Sequence, residues 1–214
     1  MSDLLRRPAS RLFRAALAGM LSTAAACDEP TDVPAAWISL DVVVGRGVQT
    51  APVSQYVIHI EGPTEIVELA DPGSTRTFGG LQPGIYRVAL EGITYIPFGV
   101  GVVETFGEAV DVHVAAGSNT RVTIAPSSFV PQPSTSRILP TVNQIDWAPI
   151  PGATEYRLSI DRDSSITNAF TSGTEGTAYQ LHGFQGTWYV RVRARNRFGT
   201  LGVPSRAVTV NASQ

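Results

Sequence analysis

Arg191, Arg193 and Arg195 recur at every second position within the stretch Gly186 to Asn196. A guanidinium carries a fixed charge and a planar fork of donors, so three on one strand face could bind carboxylates, sulfates or phosphates. Tyr189 begins the same row and could stack on a sugar ring. Arg157, in a neighbouring strand-like run, would extend it. Arg157, Tyr189, Arg191, Arg193 and Arg195 are thus the candidate binding face, for an anionic glycan or an acidic protein. The plainer reading, which the residue types favour, is a solubilising outer face with Glu155 and Asp161 as cross-strand partners.

Other chemistry is scarce. His59, His113 and His182 lie far apart and share no metal-ligand spacing. Asp161-Arg162-Asp163 has an Arg between its acids and lacks the Gly and Glu of a calcium loop, so it reads as a solvated turn. There is no Gly-x-Ser-x-Gly elbow. All 16 basic residues are Arg, which removes Schiff-base, P-loop and lysine-base mechanisms. The expectation is a protein with no catalytic residue, no metal and no cofactor, and not an enzyme.

The remaining reactive group is Cys27, the single cysteine. Arg6, Arg7, Arg11 and Arg14 make a positive start, Ala15 to Ala26 a short apolar run, and Ala24-Ala25-Ala26 a small-residue end, the pattern of an export signal over residues 1–26. At about 12 residues the run is too short to span a bilayer. A lone Cys in an exported chain has no internal disulfide partner. The arrangement resembles a bacterial lipoprotein lipobox, with Ala24 where such boxes usually carry Leu. The resemblance implies acylation of Cys27, a membrane anchor, and residence in the bacterial cell envelope; ordinary cleavage leaving a free thiol is the alternative. Residues 27–34, with Pro30 and Pro34, read as a tether. From residue 27 onward 12 Arg face 17 acidic residues, a net of −5. That balance, without basic clusters interleaved with aromatics, argues against nucleic acid.

The elements that must position these groups are strands. Residues 35–125 contain β-branched and aromatic runs at Trp37 to Val44, Tyr56 to Glu61, Thr64 to Leu69, Ile85 to Leu90, Ala109 to Val114 and Thr120 to Ile124, each bounded by turn-forming residues. No helical period intervenes, so an antiparallel sandwich is expected. The Gly80 to Val88 turn-and-strand and the Val112 to Val122 hairpin resemble prealbumin-like or carboxypeptidase-regulatory-like sandwiches. Some of those carry a lysine–asparagine crosslink, which a chain without Lys cannot form. Tyr95, Phe98 and Phe106 lie in a Gly-rich stretch from Gly92 to Gly107 without a clear element; folding back onto the sandwich edge is favoured over a binding loop.

Residues 126–135, with Pro126, Pro131 and Pro133, read as a stiff linker. Residues 136–212 follow with strands ending at Trp147, over Tyr156 to Ile160, Tyr179 to Leu181, Trp188 to Asn196 and Val208 to Val210. The Trp147-x-Pro turn, the Gly152/Tyr156 spacing, Tyr179 with Gly183-Phe184, Tyr189 to Asn196 and the Gly202 to Ser205 run resemble a fibronectin type III domain. Two departures stand out: Gly183-Phe184 replaces the usual Gly-Leu, and Trp188 occupies the inward corner where the family keeps Tyr. The expectation is therefore an all-β chain of two tandem antiparallel sandwiches, the second immunoglobulin-like. Its expected work is non-catalytic binding or scaffolding of a protein or glycan at the envelope, with an accessory subunit of an envelope complex or a carbohydrate-binding module as alternatives. A carbohydrate module would need exposed aromatics among Trp37, Tyr95, Phe98 and Tyr189.

Overall fold

Tyr56-Val57-Ile58-His59-Ile60-Glu61 buries every second side chain, and this period-two burial recurs along the chain. The structure, a computed structural model, describes residues 36–42, 53–139 and 142–212, and for 36, 37, 39–42, 137–139 and 212 the backbone alone. Residues 1–35, and with them Cys27 and the stretches expected to be a signal segment and a tether, lie outside the described residues, as does the side chain of Trp37. No α-helix occurs among the described residues.

The first sandwich has strands β1 (Ala36–Val42), β2 (Gln55–Glu61), β3 (Ile66–Ala70), β4 (Thr75–Leu81), β5 (Gly84–Ile96), β6 (Val100–Val114) and β7 (Asn119–Ile124). A two-residue strand, β8 (Ser127–Ser128), follows. One sheet has the order β4-β1-β7 and the other β3-β2-β5-β6-β8. All ladders are antiparallel except β1 on β7, where Trp37 to Val42 run parallel to Asn119 to Ile124. Between the sheets lie Ile38, Tyr56, Ile58, Ile60, Phe78, Leu81, Tyr86, Val88, Leu90, Val122 and Ile124. The Tyr86 hydroxyl donates to the Gln82 carbonyl at 2.6 Å, pinning the Gly80 to Gly84 turn against the strand that leaves it.

The second sandwich comprises β9 (Ser134–Leu139), β10 (Val142–Asp146), β11 (Ala153–Asp161), β12 (Phe170–Thr174), β13 (Ala178–Leu181), β14 (Gly186–Asn196) and β15 (Val208–Ala212). Its sheets are β13-β10-β9 and β12-β11-β14-β15. Trp147 packs edge-on to Tyr156 at 5.2 Å between them, and the Tyr156 hydroxyl accepts the Ile150 N–H at 2.9 Å, holding the turn between β10 and β11. At the corner before β14 the Trp188 indole N–H donates to the Gln185 carbonyl at 2.9 Å. The indole thus finds a backbone acceptor within its own turn.

The Gly92 to Gly107 stretch is the distal half of a β5–β6 hairpin of 13 and 15 residues. Tyr95 and Phe98 do not fold back onto the sandwich edge: both are exposed, whereas Phe106 is buried. The chain between the sandwiches is extended but covered. Ser127 and Ser128 pair with Phe106 and Thr105 of β6, the Phe129 N–H donates to the Glu104 carbonyl at 2.8 Å, and Phe129, Val130 and Pro131 are buried.

Candidate functional site

Two sites can be built from these elements: the Arg face of the second sandwich and the junction between the sandwiches.

On β14 the alternation sends Val190, Val192 and Ala194 into the core, leaving Tyr189, Arg191, Arg193 and Arg195 on the outer face. The register with β11 sets Arg157 opposite Arg193, Glu155 opposite Arg195, Ser159 opposite Arg191 and Asp161 opposite Tyr189. All five candidate residues therefore share one face, but their charges are largely engaged. Arg195 Nη1 lies 3.1 Å from Glu155 Oε2, and Arg157 Nε 3.3 Å from Glu155 Oε1. Gly173 makes room for that carboxylate, since a Cβ there would stand 2.9 Å from Glu155 Oε1. The hydrogen bond from Arg195, with the nearby Arg157, holds the Glu155 carboxyl below its ordinary pKa. Arg193 Nε donates to the Gly202 carbonyl at 2.9 Å, and burial lowers its pKa. Arg195 Nε also reaches the Gly199 carbonyl at 3.2 Å. Arg191 lies opposite Ser159 and forms no ion pair with another described residue.

Asp161 is not a partner in this row. Its carboxylate accepts the N–H groups of Asp163 at 3.1 Å and Asn168 at 2.9 Å, and the Asp163 N–H first of all lowers its pKa. Asp161-Arg162-Asp163 is thus a backbone-closed turn, with Arg162 over the Trp188 ring at 4.7 Å. The three histidines are scattered: His113 and His182 are exposed and His59 is in the junction. Among the described residues no group of three His, Cys, Asp or Glu could hold a metal.

The junction was read from the sequence only as strand faces and a turn. β5 is apolar on both sides, with Val88 and Leu90 in the first core and Ala89 and Ile93 in the second. A strand with two buried faces must be covered on both. That pattern, Val88-Ala89-Leu90-Glu91-Gly92-Ile93, was the available signal. Ala89, Ile93, Val103 and Phe106 of the first sandwich belong to the same core as Trp147, Tyr156, Leu158 and Val192. Backbone joins them too: the Val103 N–H donates to the Leu201 carbonyl at 3.0 Å and the Val203 N–H to the Val103 carbonyl at 3.0 Å.

Within this contact lies Glu91, only 3% exposed. Its Oε2 is 2.6 Å from His59 Nε2, and its Oε1 accepts the Asn196 side-chain N–H. Burial pushes the Glu91 carboxyl up, but hydrogen bonds from His59 and Asn196, the His59 charge and Thr200 together pull it below its ordinary value. Asn196 also builds the following turn, its Oδ1 accepting the N–H groups of Phe198 at 3.1 Å and Thr200 at 3.0 Å. Phe198 stacks on the His59 ring at 3.7 Å. Arg197 covers the other side, 4.6 Å from the Phe198 ring, with Nη2 2.8 Å from Glu61 and Nη1 3.4 Å from Glu108. The carboxylate, the imidazole and the amide all satisfy one another across the contact, so the cluster joins rather than reacts.

The fold defines an all-β protein of two sandwiches, the second built from a three-stranded and a four-stranded sheet as in immunoglobulin-like sandwiches. No protein-family model matches the chain, and no curated protein does. Among solved structures, the sixth fibronectin type III domain of human fibronectin type III domain containing protein 3 is similar over 39% of this chain and 84% of its own, at 22% identity and a TM-score of 0.31. The FN1–FN3 domains of chicken CNTN1 align with 75% of this chain and 54% of theirs, at 12% identity and a TM-score of 0.36. A Bacteroides uniformis protein described provisionally as carbohydrate-binding aligns with 83% of this chain and 99% of its own, at 13% identity and a TM-score of 0.30.

Proposed function

We propose that this chain is a non-catalytic binding module of the bacterial cell envelope, exported and acylated at Cys27, that holds a protein or glycan partner on the outer face of the β12-β11-β14-β15 sheet. The observation that carries the reading is that face itself. It stays open while the opposite side of the same sheet is buried, and it presents Arg157, Arg191 and Tyr189 among Ser159, Thr171 and Thr209. Arg191 is the group best able to meet an incoming anion, because Arg193 and Arg195 already serve carbonyls and Glu155. The face has hydroxyls and guanidinium groups but no acid–base pair in a cleft, which suits recognition rather than catalysis. Tyr95 and Phe98 are exposed on the hairpin while Tyr189 lies on the second sandwich, so they do not make one aromatic platform. A protein or an acidic glycan fits better than a neutral sugar.

Two measurements test the reading. Intact mass of membrane-extracted protein beside a Cys27→Ser variant should give a chain starting at Cys27 with added acyl groups, and no acyl groups in the variant; an unmodified chain would remove the anchor. Retention on immobilised polygalacturonate should fall in Arg157→Ser/Arg191→Ser. Equal retention of wild type and variant would remove the Arg face.

A further inference from the structure

The β5–β6 hairpin extends past its neighbours. β2 accompanies β5 only as far as Ile93, and past Thr94 and Val102, which are still buried, Tyr95–Ile96 and Val100–Gly101 continue as a two-stranded finger for about 7 Å. At its end Phe98 is fully exposed with φ 73 and ψ 14, left-handed backbone that a bulky side chain rarely adopts. Gly99 follows at φ 73, and Tyr95 and Val100 are each more than half exposed. From Gly92 to Val103 there are twelve residues without a charge, and the flanking acids Glu91 and Glu104 are both buried. The finger therefore offers water an apolar tip, where an exposed turn ordinarily carries polar residues.

The finger's base is fixed. Ile93, Val103 and Phe106 are buried in the shared core, and Val103 is hydrogen-bonded on both sides to the second sandwich. A firmly held base with an exposed strained aromatic at its end is arranged for insertion into something apolar. A lipid surface suits this chemistry best. Tyr95 to Val100 themselves carry no charge and no Arg, the groups a protein interface would use to fix orientation. Its amphipathic ring, Tyr95, stands one step behind the apolar residues, and the hydroxyl faces Gln55 Oε1 at 3.4 Å, as at a membrane–water boundary.

We propose that the tip Tyr95 to Val100 is a lipid-contact site that inserts Phe98, with Pro97 and Val100, into the boundary between headgroups and acyl chains. The site does not depend on acylation of Cys27. Gly84, where β5 starts, sits by Val114, and β1 starts at Ala36 opposite Leu81, three residues before Gly84. The tip and the start of β1 are therefore at opposite ends of the first sandwich, about 40 Å apart along β5. Acylation at Cys27 and an inserted tip would be two weak attachments adding to a stable one.

The test uses the full chain with Cys27→Ser, which removes the acylation site and leaves no other cysteine. Adding Phe98→Cys gives a single site for an environment-sensitive fluorophore, and Val67→Cys, exposed on edge strand β3, gives a control. With phosphatidylcholine vesicles the probe at position 98 should brighten and shift to the blue, and the probe at 67 should not. In co-sedimentation with the same vesicles, Phe98→Asp should weaken partitioning by about tenfold or more, the loss expected when a buried phenyl ring is removed. Because Phe98 touches no core and Asp accepts left-handed backbone more readily than Phe, the variant's circular dichroism should match the parent and its melting temperature should not fall. Unchanged fluorescence at position 98, an equal response at 67, or equal sedimentation of Phe98→Asp would each overturn the proposal. The last two would attribute vesicle binding to another part of the chain, and no binding at all would leave the tip to a protein partner.

Discussion

Glu91 shows how one residue can decide whether two sandwiches stay together. A carboxylate this deeply buried is tolerated because His59 and Asn196 donate to it. Glu91→Leu would leave both donors unpaired, and we expect a loss of about 3 kcal/mol in urea denaturation. The pH dependence follows from the direction of the shift. Glu91 has a lower pKa folded than unfolded, so its ionisation stabilises the fold above the ordinary carboxylate range, and that contribution fades as pH falls through the depressed folded value. Glu155 and Asp161 are shifted the same way, but they lie half-buried at the surface, away from the junction, and are present in every variant. Comparison with Glu91→Gln isolates the buried group: the variant should be less stable at neutral pH and lose less on acidification. Parallel stability–pH curves would show that Glu91 is not ionised in the junction. The other charges around it, Glu61, Glu108 and Arg197, are half-exposed or paired and should affect both curves alike.

Among the elements, the β5–β6 hairpin and the turn between β10 and β11 meet at one tight point. Gly152 has φ +79, and a Cβ there would fall 2.2 Å from the Phe106 ring. Gly152→Ala is therefore opposed both by its own backbone and by an aromatic whose base is held in β6. We expect a cost of about 2 kcal/mol or more and faster proteolysis at 129–133, where the connecting chain would lose its cover. Unchanged proteolysis would mean that Phe106 can swing aside freely. The same elements show what was legible in the sequence. Strand alternation placed β2, β7, β11 and β14, because one wet and one dry face write a period of two. The shared face of Tyr189, Arg191, Arg193 and Arg195 followed from that period alone, and Arg157 joins it through the β11–β14 register. β4 (Thr-Arg-Thr-Phe-Gly-Gly-Leu) and β12 (Phe-Thr-Ser-Gly-Thr) were not found: Gly and Thr dilute their pattern, and pairing with a stronger neighbour makes them strands. The distal hairpin was hidden for the opposite reason. Its residues are apolar on both faces or exposed at the tip, so no alternation marks it. Glu91 and His59 come together through strand pairing 32 positions apart, and Asn196 joins them 105 positions away, separations that local pattern cannot register.

At the scale of the whole molecule, tandem sandwiches on a proline-containing connector would ordinarily behave as independent beads, each melting by itself. Here the connector pairs with β6 through Ser127 and Ser128, and side chains from both halves fill one core. Val103 carries the backbone part of the joint. Its N–H points to Leu201, away from its hairpin partner Ile93, and its carbonyl receives Val203. Separating the halves would expose Phe106, Ile93 and Val103 to water and strand Glu91, so neither half is as stable alone as in the pair. Calorimetry of the intact protein should accordingly show one transition, with equal calorimetric and van't Hoff enthalpies. Val103→Pro tests the cause directly, because proline removes the donor aimed at the second sandwich while leaving the β5–β6 ladder its other bonds. That variant should unfold in two resolved steps, the first at lower temperature. A single transition merely displaced downward would locate the coupling in the apolar contact of Phe106 and Phe129 rather than in the backbone bridge, and two transitions in the unaltered protein would show that the shared core does not unite the halves.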